Sequence, residues 1–137
     1  MGSLSNPEKA AKHSFATTVN QQGPGFSTSF GYDRNGNRVQ QFTEAGSTTG
    51  AIGDWGVLPG RLFRPKGVAL DDAGRIYIAD SYLDVIQVFE GKRFLYALGD
   101  GAGQPRRFES PGGIAIHDGK LYVTEMFGRK VGVYSLP

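Results

Sequence analysis

Residues 67–89 read GVALDDAGRIYIADSYLDVIQVF, and residues 113–134 read GIAIHDGKLYVTEMFGRKVGVY. The two stretches match along their length, with one residue fewer in the first turn of the second stretch. Each contains three short runs in which apolar residues alternate, separated by turns, and the first turn carries Gly74 or Gly119. Alternation at a period of two is typical of β-strands. The pair therefore predicts a repeated unit of antiparallel strands.

The segment before each unit is repeated too. Residues 51–67 read AIGDWGVLPGRLFRPKG and residues 97–113 read ALGDGAGQPRRFESPGG, which places the copies 46 residues apart. In the first unit a fourth apolar run, FLYAL at residues 94–98, follows a turn. Four antiparallel strands in about 46 residues are typical of one blade of a β-propeller.

Residues 98–105, LGDGAGQP, form a glycine-rich stretch behind an apolar run. A phosphate-binding loop would need bare backbone at its glycines and a helix directly after it. The first copy of this stretch carries Trp55 and Val57 where the second has glycine, and no helical pattern follows either copy. We therefore interpret both copies as connectors between blades.

A third, more divergent unit is predicted upstream. Asp33 lies nine residues before Phe42, the spacing that separates Asp80 from Phe89 in the next unit. Its first two strands are expected within residues 13–19 and 26–32, although serine and threonine replace the usual aliphatic residues there, and its fourth strand lies near residue 50.

The predicted fold is all-β, a partial β-propeller of about three four-stranded antiparallel blades. The predicted blades span approximately residues 13–53, 62–99 and 108–137, after a flexible N-terminal tail at residues 1–12. The last blade has three predicted strands. Three blades cannot close a ring and leave apolar blade faces uncovered, so we expect completion by oligomerisation or by a partner chain. The tail is also a candidate for donating a strand to a neighbour.

The runs L-x-x-P-x-G-V-A-L-D at residues 62–71, GRIYIADS at 74–81 and VIQVF at 85–89 resemble the NHL-repeat family of β-propellers, and F-x-x-P-x-G-I-A-I at 108–116 repeats the first of them. The resemblance implies a ring that usually has six blades. The chain departs from the family pattern at Glu125, where the family has aspartate. Residues 31–42 also resemble a single tyrosine–aspartate repeat of large shell-forming toxins, but their spacing to the later units favours a blade.

Composition excludes several classes of protein. The 137 residues suffice for one ordinary domain. They contain no cysteine, which excludes disulfides, thiolate zinc sites and a cysteine nucleophile. The net charge of +2 does not by itself indicate a nucleic-acid partner. No apolar run is long enough to span a bilayer, and the lack of cysteine leans towards an extracytoplasmic bacterial protein.

Three residues are candidate ligand positions. His117 lies in a turn, where it is either a metal ligand or general base, or a turn residue in the place of the earlier Asp71-Asp72 pair. Asp80 and Glu125 share one repeat position, where they either surround a central ion or accept backbone hydrogen bonds in the following turn. The second interpretation is favoured for all three, so we predict no cofactor, metal or catalytic residue.

The connectors are predicted to share one rim of the propeller. The candidate interaction residues there are Asp54, Trp55, Arg61, Arg64, Lys66, Asp100, Arg106 and Arg107. We expect a non-enzymatic protein-interaction or assembly module that self-associates or docks with another propeller-forming chain. The resemblance implies two alternatives: a subunit or fragment of a metal-dependent propeller enzyme of the lactonase or lyase type, and RNA binding through the basic rim.

Overall fold

The computed structural model describes residues 17–19, 28–32, 38–42, 48–99 and 104–137. The described residues form strands joined by turns and contain no helix, so none of them lies in a helix that could cross a membrane. The tail predicted at residues 1–12 lies outside the described ranges. The strands are β1 Thr17–Val19, β2 Thr28–Tyr32, β3 Val39–Phe42, β4 Thr48–Ile52, β5 Asp54–Trp55, β6 Arg61–Leu62, β7 Pro65–Leu70, β8 Ile76–Asp80, β9 Val85–Glu90, β10 Arg93–Ala97, β11 Pro111–His117, β12 Lys120–Glu125 and β13 Lys130–Ser135.

These strands form three antiparallel sheets that follow one another along the chain. The first has the order β1-β2-β3-β4, the second has the order β7-β8-β9-β10, and the third has the order β11-β12-β13. Each strand pairs with the next one in sequence, as in a propeller blade. The all-β fold and the partial propeller predicted from the repeats are confirmed.

The connector between the first two sheets contains an element that the repeats did not predict. Strands β5 and β6 form a short parallel pair, in which Asp54 lies opposite Arg61 and Trp55 opposite Leu62. The equivalent connector between the second and third sheets has an isolated bridge between Gly99 and Pro105.

The second sheet is buried on both faces. In β8, IYIAD, every residue is buried, since Ile76 and Ile78 join the apolar cluster shared with the first sheet, and Tyr77 and Ala79 join the cluster shared with the third. Successive side chains of a strand point to opposite faces, so a continuous apolar run is required where both faces are covered.

Two apolar clusters hold the three sheets together. The cluster between the first and second sheets contains Phe30, Val39, Ile52, Leu62, Val68, Ile76, Ile78 and Phe89. The cluster between the second and third sheets contains Tyr77, Ala79, Ile86, Val88, Leu98, Phe108, Leu121 and Val123. In both clusters a residue of the connector, Leu62 or Phe108, completes the packing between neighbouring sheets.

The first strands of the second and third sheets approach each other very closely at Gly67. A Cβ atom at this position would lie 2.2 Å from the carbonyl oxygen of Gly112 in β11. Only glycine therefore permits the observed distance between β7 and β11.

Candidate interaction surfaces

Asp80 fastens the connector to the second sheet. Its side chain is fully buried and accepts hydrogen bonds from the backbone N–H groups of Phe63 at 2.7 Å and Arg64 at 3.1 Å. It also accepts the N–H groups of Tyr82 at 3.1 Å and Leu83 at 3.0 Å in the following turn. These hydrogen bonds let the Asp80 side chain anchor both the connector and the following turn.

Glu125 anchors the connector to the third sheet in the same way, with fewer hydrogen-bond partners. It is buried and accepts the N–H of Glu109 at 3.0 Å and the hydroxyl of Tyr134 at 2.5 Å. Burial, together with the hydrogen bond to Glu125, raises the pKa of Tyr134 to about 12. Both repeated carboxylates therefore lie inside the sheets, where they hold connector backbone.

Gln87 is a third buried anchor for the connector, and the sequence analysis did not single it out. Its Oε1 accepts the N–H of Gly60 at 2.7 Å, and its Nε2 donates to the carbonyl oxygen of Arg61 at 2.7 Å. Its counterpart by spacing in the first sheet is Gln40, whose Oε1 is buried without a hydrogen-bond partner.

His117 lies at the opposite end of the sheets from the connectors. It is exposed at the turn between β11 and β12, where its Nε2 is 3.4 Å from the carboxylate of Asp118. A depression of about 370 Å³ beside it is also lined by Asp71 and Arg75. The carboxylate of Asp71 already has hydrogen-bond partners within the chain, because it accepts hydrogen bonds from the Arg75 side chain at 2.7 Å and the Tyr77 hydroxyl at 2.9 Å.

The electrostatics of Asp71 agree with a structural role. Burial acts to raise its pKa, but the hydrogen bonds and the positive charge of Arg75, with the hydroxyl of Tyr77, outweigh burial and lower the pKa below its ordinary value. The described residues bring together no group of three histidine, aspartate or glutamate side chains that could hold a metal ion. His117 lies at the opposite end of the third sheet from Glu125, so the three candidate positions do not form one site.

The first connector holds an aromatic ladder at one end of the sheets. The rings of Trp55 and Phe63 are 5.1 Å apart, and those of Phe63 and Tyr82 stack at 4.1 Å. Trp55 and Tyr82 remain more than half exposed. Of the three ladder residues, Trp55 is a predicted rim residue, whereas Tyr82 reaches the ladder from the turn between β8 and β9.

The charged residues of the rim divide into two groups. Arg61, Arg64 and Lys66 are exposed around the aromatic ladder. Asp54 is exposed beside them, 3.5 Å from Arg38. Asp100 lies outside the described residues.

The other two arginines belong to the second connector. Arg107 is exposed, and its guanidinium lies 4.0 Å from Asp84. Arg106 is half-buried, and its guanidinium lies over the ring of Tyr134 at 5.0 Å. The structure therefore does not place Arg106 on the same open surface as Arg64 and Lys66.

The outer face of the third sheet is an uncovered apolar surface. Tyr122 and Val133 lie opposite each other across β12 and β13, as do Thr124 and Val131. Tyr122 is 36%, Val131 61% and Val133 54% exposed. Ala115 of β11, opposite Tyr122, continues the surface. We call these five residues the outer face.

No protein-family model and no curated protein sequence matches the chain. Solved structures do match. A protein of unknown function from Bacteroides thetaiotaomicron aligns with a TM-score of 0.63 and 17% identity over 79% of this chain. Virginiamycin B lyase from Staphylococcus aureus aligns with a TM-score of 0.56 and 19% identity over 85% of this chain. Both are propeller-type proteins. The chain has a β-propeller fold.

Hydrazine synthase from Kuenenia stuttgartiensis is similar as well, with a TM-score of 0.61 and 17% identity over 86% of this chain. The chain spans 32%, 31% and 37% of these three structures, taking the Bacteroides protein, the synthase and the lyase in turn. At such low identities the similarity establishes the propeller fold alone.

Proposed function

We propose that this chain is a protein-interaction module, built from NHL-like blades, that self-associates through the outer face. The observation that carries the proposal is a difference between equivalent residues. Tyr77, Ile86 and Val88 of the second sheet are at most 1% exposed because the third sheet covers them. Their repeat equivalents are Tyr122, Val131 and Val133, which nothing in the described residues covers.

The chemistry of the outer face favours a second copy of the same chain as its occupant. None of its five residues carries a charge, and Lys120 and His117, which continue the same face, lie at its end beyond Tyr122 and Ala115. Two such faces can therefore pack about a two-fold axis with these two side chains at the edge of the contact. Two packed sheets lie about 10 Å apart and bury the side chains of both inner faces. Full burial of a large apolar side chain contributes roughly 1.5–3 kcal/mol, which for two faces is comparable to the association cost of roughly 4–15 kcal/mol.

Ring closure between two copies is less well supported. It would place the outer face against the free face of the first sheet. By repeat spacing, Ser29 and Gly31 of that sheet occupy the positions of Leu121 and Val123 in the third. Gly31 has no side chain, so it cannot supply the apolar surface that Val123 presents to the second sheet. Packing of one outer face on another is therefore the proposed mode.

The accessibility of a single thiol tests this proposal. The chain contains no cysteine, so Val133→Cys introduces its only thiol. We expect its rate of maleimide labelling to fall at least fivefold as the protein concentration rises into the range of association. Val57→Cys is the matched control, because Val57 is 60% exposed in the connector, away from the outer face. Equal concentration dependence of the two rates would overturn self-association through this face.

The aromatic ladder supports a second candidate function, the binding of single-stranded RNA. Aromatic rings beside exposed cations suit stacked bases and neighbouring phosphates, and stacking contributes roughly 1–3 kcal/mol per base. The stack of Trp55, Phe63 and Tyr82, with Arg64 and Lys66 nearby, is such a combination.

Trp55 is the only tryptophan, so its fluorescence reports directly on this candidate. RNA binding predicts quenching by a dodecamer of uridylate, with affinity falling as salt rises. Arg64→Ala should then weaken binding and reduce the salt slope by about one. Lys92→Ala, at the turn between β9 and β10 at the other end of the second sheet, should change neither. The absence of quenching at low salt would contradict RNA binding.

A further inference from the structure

The third sheet also has an open strand edge. In the second sheet β10 pairs antiparallel with β9, and Phe94 lies opposite Phe89. Among the described residues no strand pairs with the corresponding edge of β13. The N–H and C=O groups on this edge are available to an added strand.

A crevice of about 430 Å³ lies beside this edge, between the second and third sheets. Its apolar lining includes Tyr96, Leu98, Phe108 and Leu136. The equivalent space between the first and second sheets holds a side chain of β10, since Phe94 packs against the cluster there and meets the ring of Phe89 edge-on at 5.7 Å. The crevice therefore marks the place of a missing inward-facing side chain.

Arg106 makes the crevice beside β13 chemically different from the equivalent space between the first and second sheets. The repeat aligns Arg106 with Gly60, Phe108 with Leu62 and Tyr134 with Phe89. Gly60 leaves room for Phe94, because a Cβ atom at Gly60 would lie 3.3 Å from the Cβ of Phe94. In the third sheet that room is taken by the Arg106 guanidinium over Tyr134.

The surroundings hold Arg106 in position. Its backbone N–H donates to the carbonyl oxygen of Leu98 at 2.8 Å, and Tyr134 is anchored through its hydroxyl to Glu125. No described carboxylate forms an ion pair with Arg106. Because the guanidinium is half-buried, a carboxylate beside it would be screened less than at an exposed site.

We infer that the edge of β13 binds an extended, antiparallel strand of another polypeptide that places a carboxylate side chain, rather than an aromatic ring, opposite Tyr134 and beside Arg106. The strand supplies backbone hydrogen bonds to β13, its carboxylate pairs with Arg106, and its apolar residues fill the crevice. This inference rests on the proposed interaction role but uses the strand edge and not the outer face.

Three peptides test the inference by calorimetric titration into the whole chain. Their sequences are GKRFLYAL, which is that of residues 91–98, and GKRELYAL and GKRQLYAL, in which glutamate or glutamine replaces the phenylalanine. We expect GKRELYAL to bind about tenfold more tightly than GKRQLYAL. Arg106→Gln should abolish this preference. Arg106→Gly, which copies Gly60, should shift the preference to GKRFLYAL.

Backbone pairing is checked on the peptide, so that the fold of the protein is not disturbed. Methylation of the GKRELYAL amide nitrogens on one edge should abolish binding, and methylation of those on the other edge should preserve it. Equal binding of the glutamate and glutamine peptides, or no binding of any peptide, would overturn the inference. Val131→Lys, which disrupts the outer face, should leave peptide binding within about twofold, so failure of the proposed self-association is distinguishable from failure of this inference.

Discussion

The second and third sheets have closely similar sequences, yet their equivalent side chains have very different surroundings. The second sheet lies between two neighbouring sheets, so both its faces are buried. Its carboxylate Asp80 accepts hydrogen bonds from the N–H groups of four residues. The third has one described neighbour, and its second strand, β12, alternates strictly between exposed and buried residues. The comparison teaches that the repeat encodes a blade with two apolar faces, and that position in the stack decides which faces become buried.

The largest difference in stability between the two sheets is expected when equivalent branched side chains are truncated to alanine. Ile86→Ala should lower the free energy of unfolding by about 3 kcal/mol, because a buried branched side chain leaves a cavity. Val131→Ala, its equivalent on the outer face, should cost less than about 1 kcal/mol at concentrations where the chain is monomeric. Urea denaturation followed by circular dichroism measures both. Equal losses would show that the two faces are equally covered in solution.

Substitution of equivalent glycines in the first strands of the two sheets should give a smaller difference in stability. Gly67→Ala places a methyl group against the Gly112 carbonyl oxygen and should cost about 2 kcal/mol of stability. Gly113 is its equivalent, and a Cβ atom there would meet only the Thr124 hydroxyl at 3.6 Å. Gly113→Ala should therefore leave the melting temperature within about 2 °C. A large loss for Gly113→Ala would indicate that another blade already packs beside β11.

Alkaline pH should lower the stability contributed by the third sheet through Tyr134, an effect smaller than those of the two substitutions above. The pKa of Tyr134 is raised from its ordinary value of 10.0 to about 12 in the folded chain, so its contribution to stability is present below pH 10 and is lost as the pH rises to 12. Its equivalent, Phe89, has no proton to lose. Tyr134→Phe should therefore flatten this part of the stability profile, measured by urea denaturation at each pH.

The alkaline profile of the unmodified chain includes other tyrosines. Burial raises the pKa of Tyr32 to about 12, and burial with the hydrogen bond to Asp71 raises the pKa of Tyr77. The difference between the unmodified chain and Tyr134→Phe isolates Tyr134, because those other tyrosines titrate in both proteins. Superimposable profiles would contradict the role of the Tyr134–Glu125 hydrogen bond.

Sequence periodicity predicted the sheets because each strand repeats a local pattern. The IYIAD run at residues 76–80 and its copy at 121–125 identified the second strand of each unit, and the structure has β8 and β12 there. The apolar run predicted at residues 94–98 corresponds to β10, Arg93–Ala97. The first strand expected within residues 13–19 is described only as β1, Thr17–Val19.

Contacts between different repeats could not be predicted in the same way. The position of Tyr82 on Phe63 depends on how the turn after β8 folds over the connector, and neither residue carries a motif. Gln87 is a polar residue in an apolar run, and Gln40 stands at the equivalent position of the first sheet, but the pattern does not indicate which backbone groups of the connector Gln87 binds. The distance between Gly67 and Gly112 follows from the packing of two sheets, which a pattern within one strand does not contain.

The rim residues illustrate the same limit. Arg64 and Arg106 both belong to repeated connectors, which suggested one basic surface. The structure leaves Arg64 exposed but turns Arg106 onto Tyr134, because the ring of a β10 equivalent does not occupy that space. Spacing placed both arginines at connectors, whereas the neighbouring side chains decided their roles.

The solution mass of the unmodified chain tests the central claim most directly. Light scattering over a range of concentrations should give a species near twice 14.8 kDa that dissociates on dilution. The Val131→Lys/Val133→Lys variant should remain a folded monomer, while Val57→Lys should dimerise like the unmodified chain. A folded, unmodified chain that stays monomeric at every concentration, or a dimer that survives both lysines, would contradict self-association through the outer face of the third sheet.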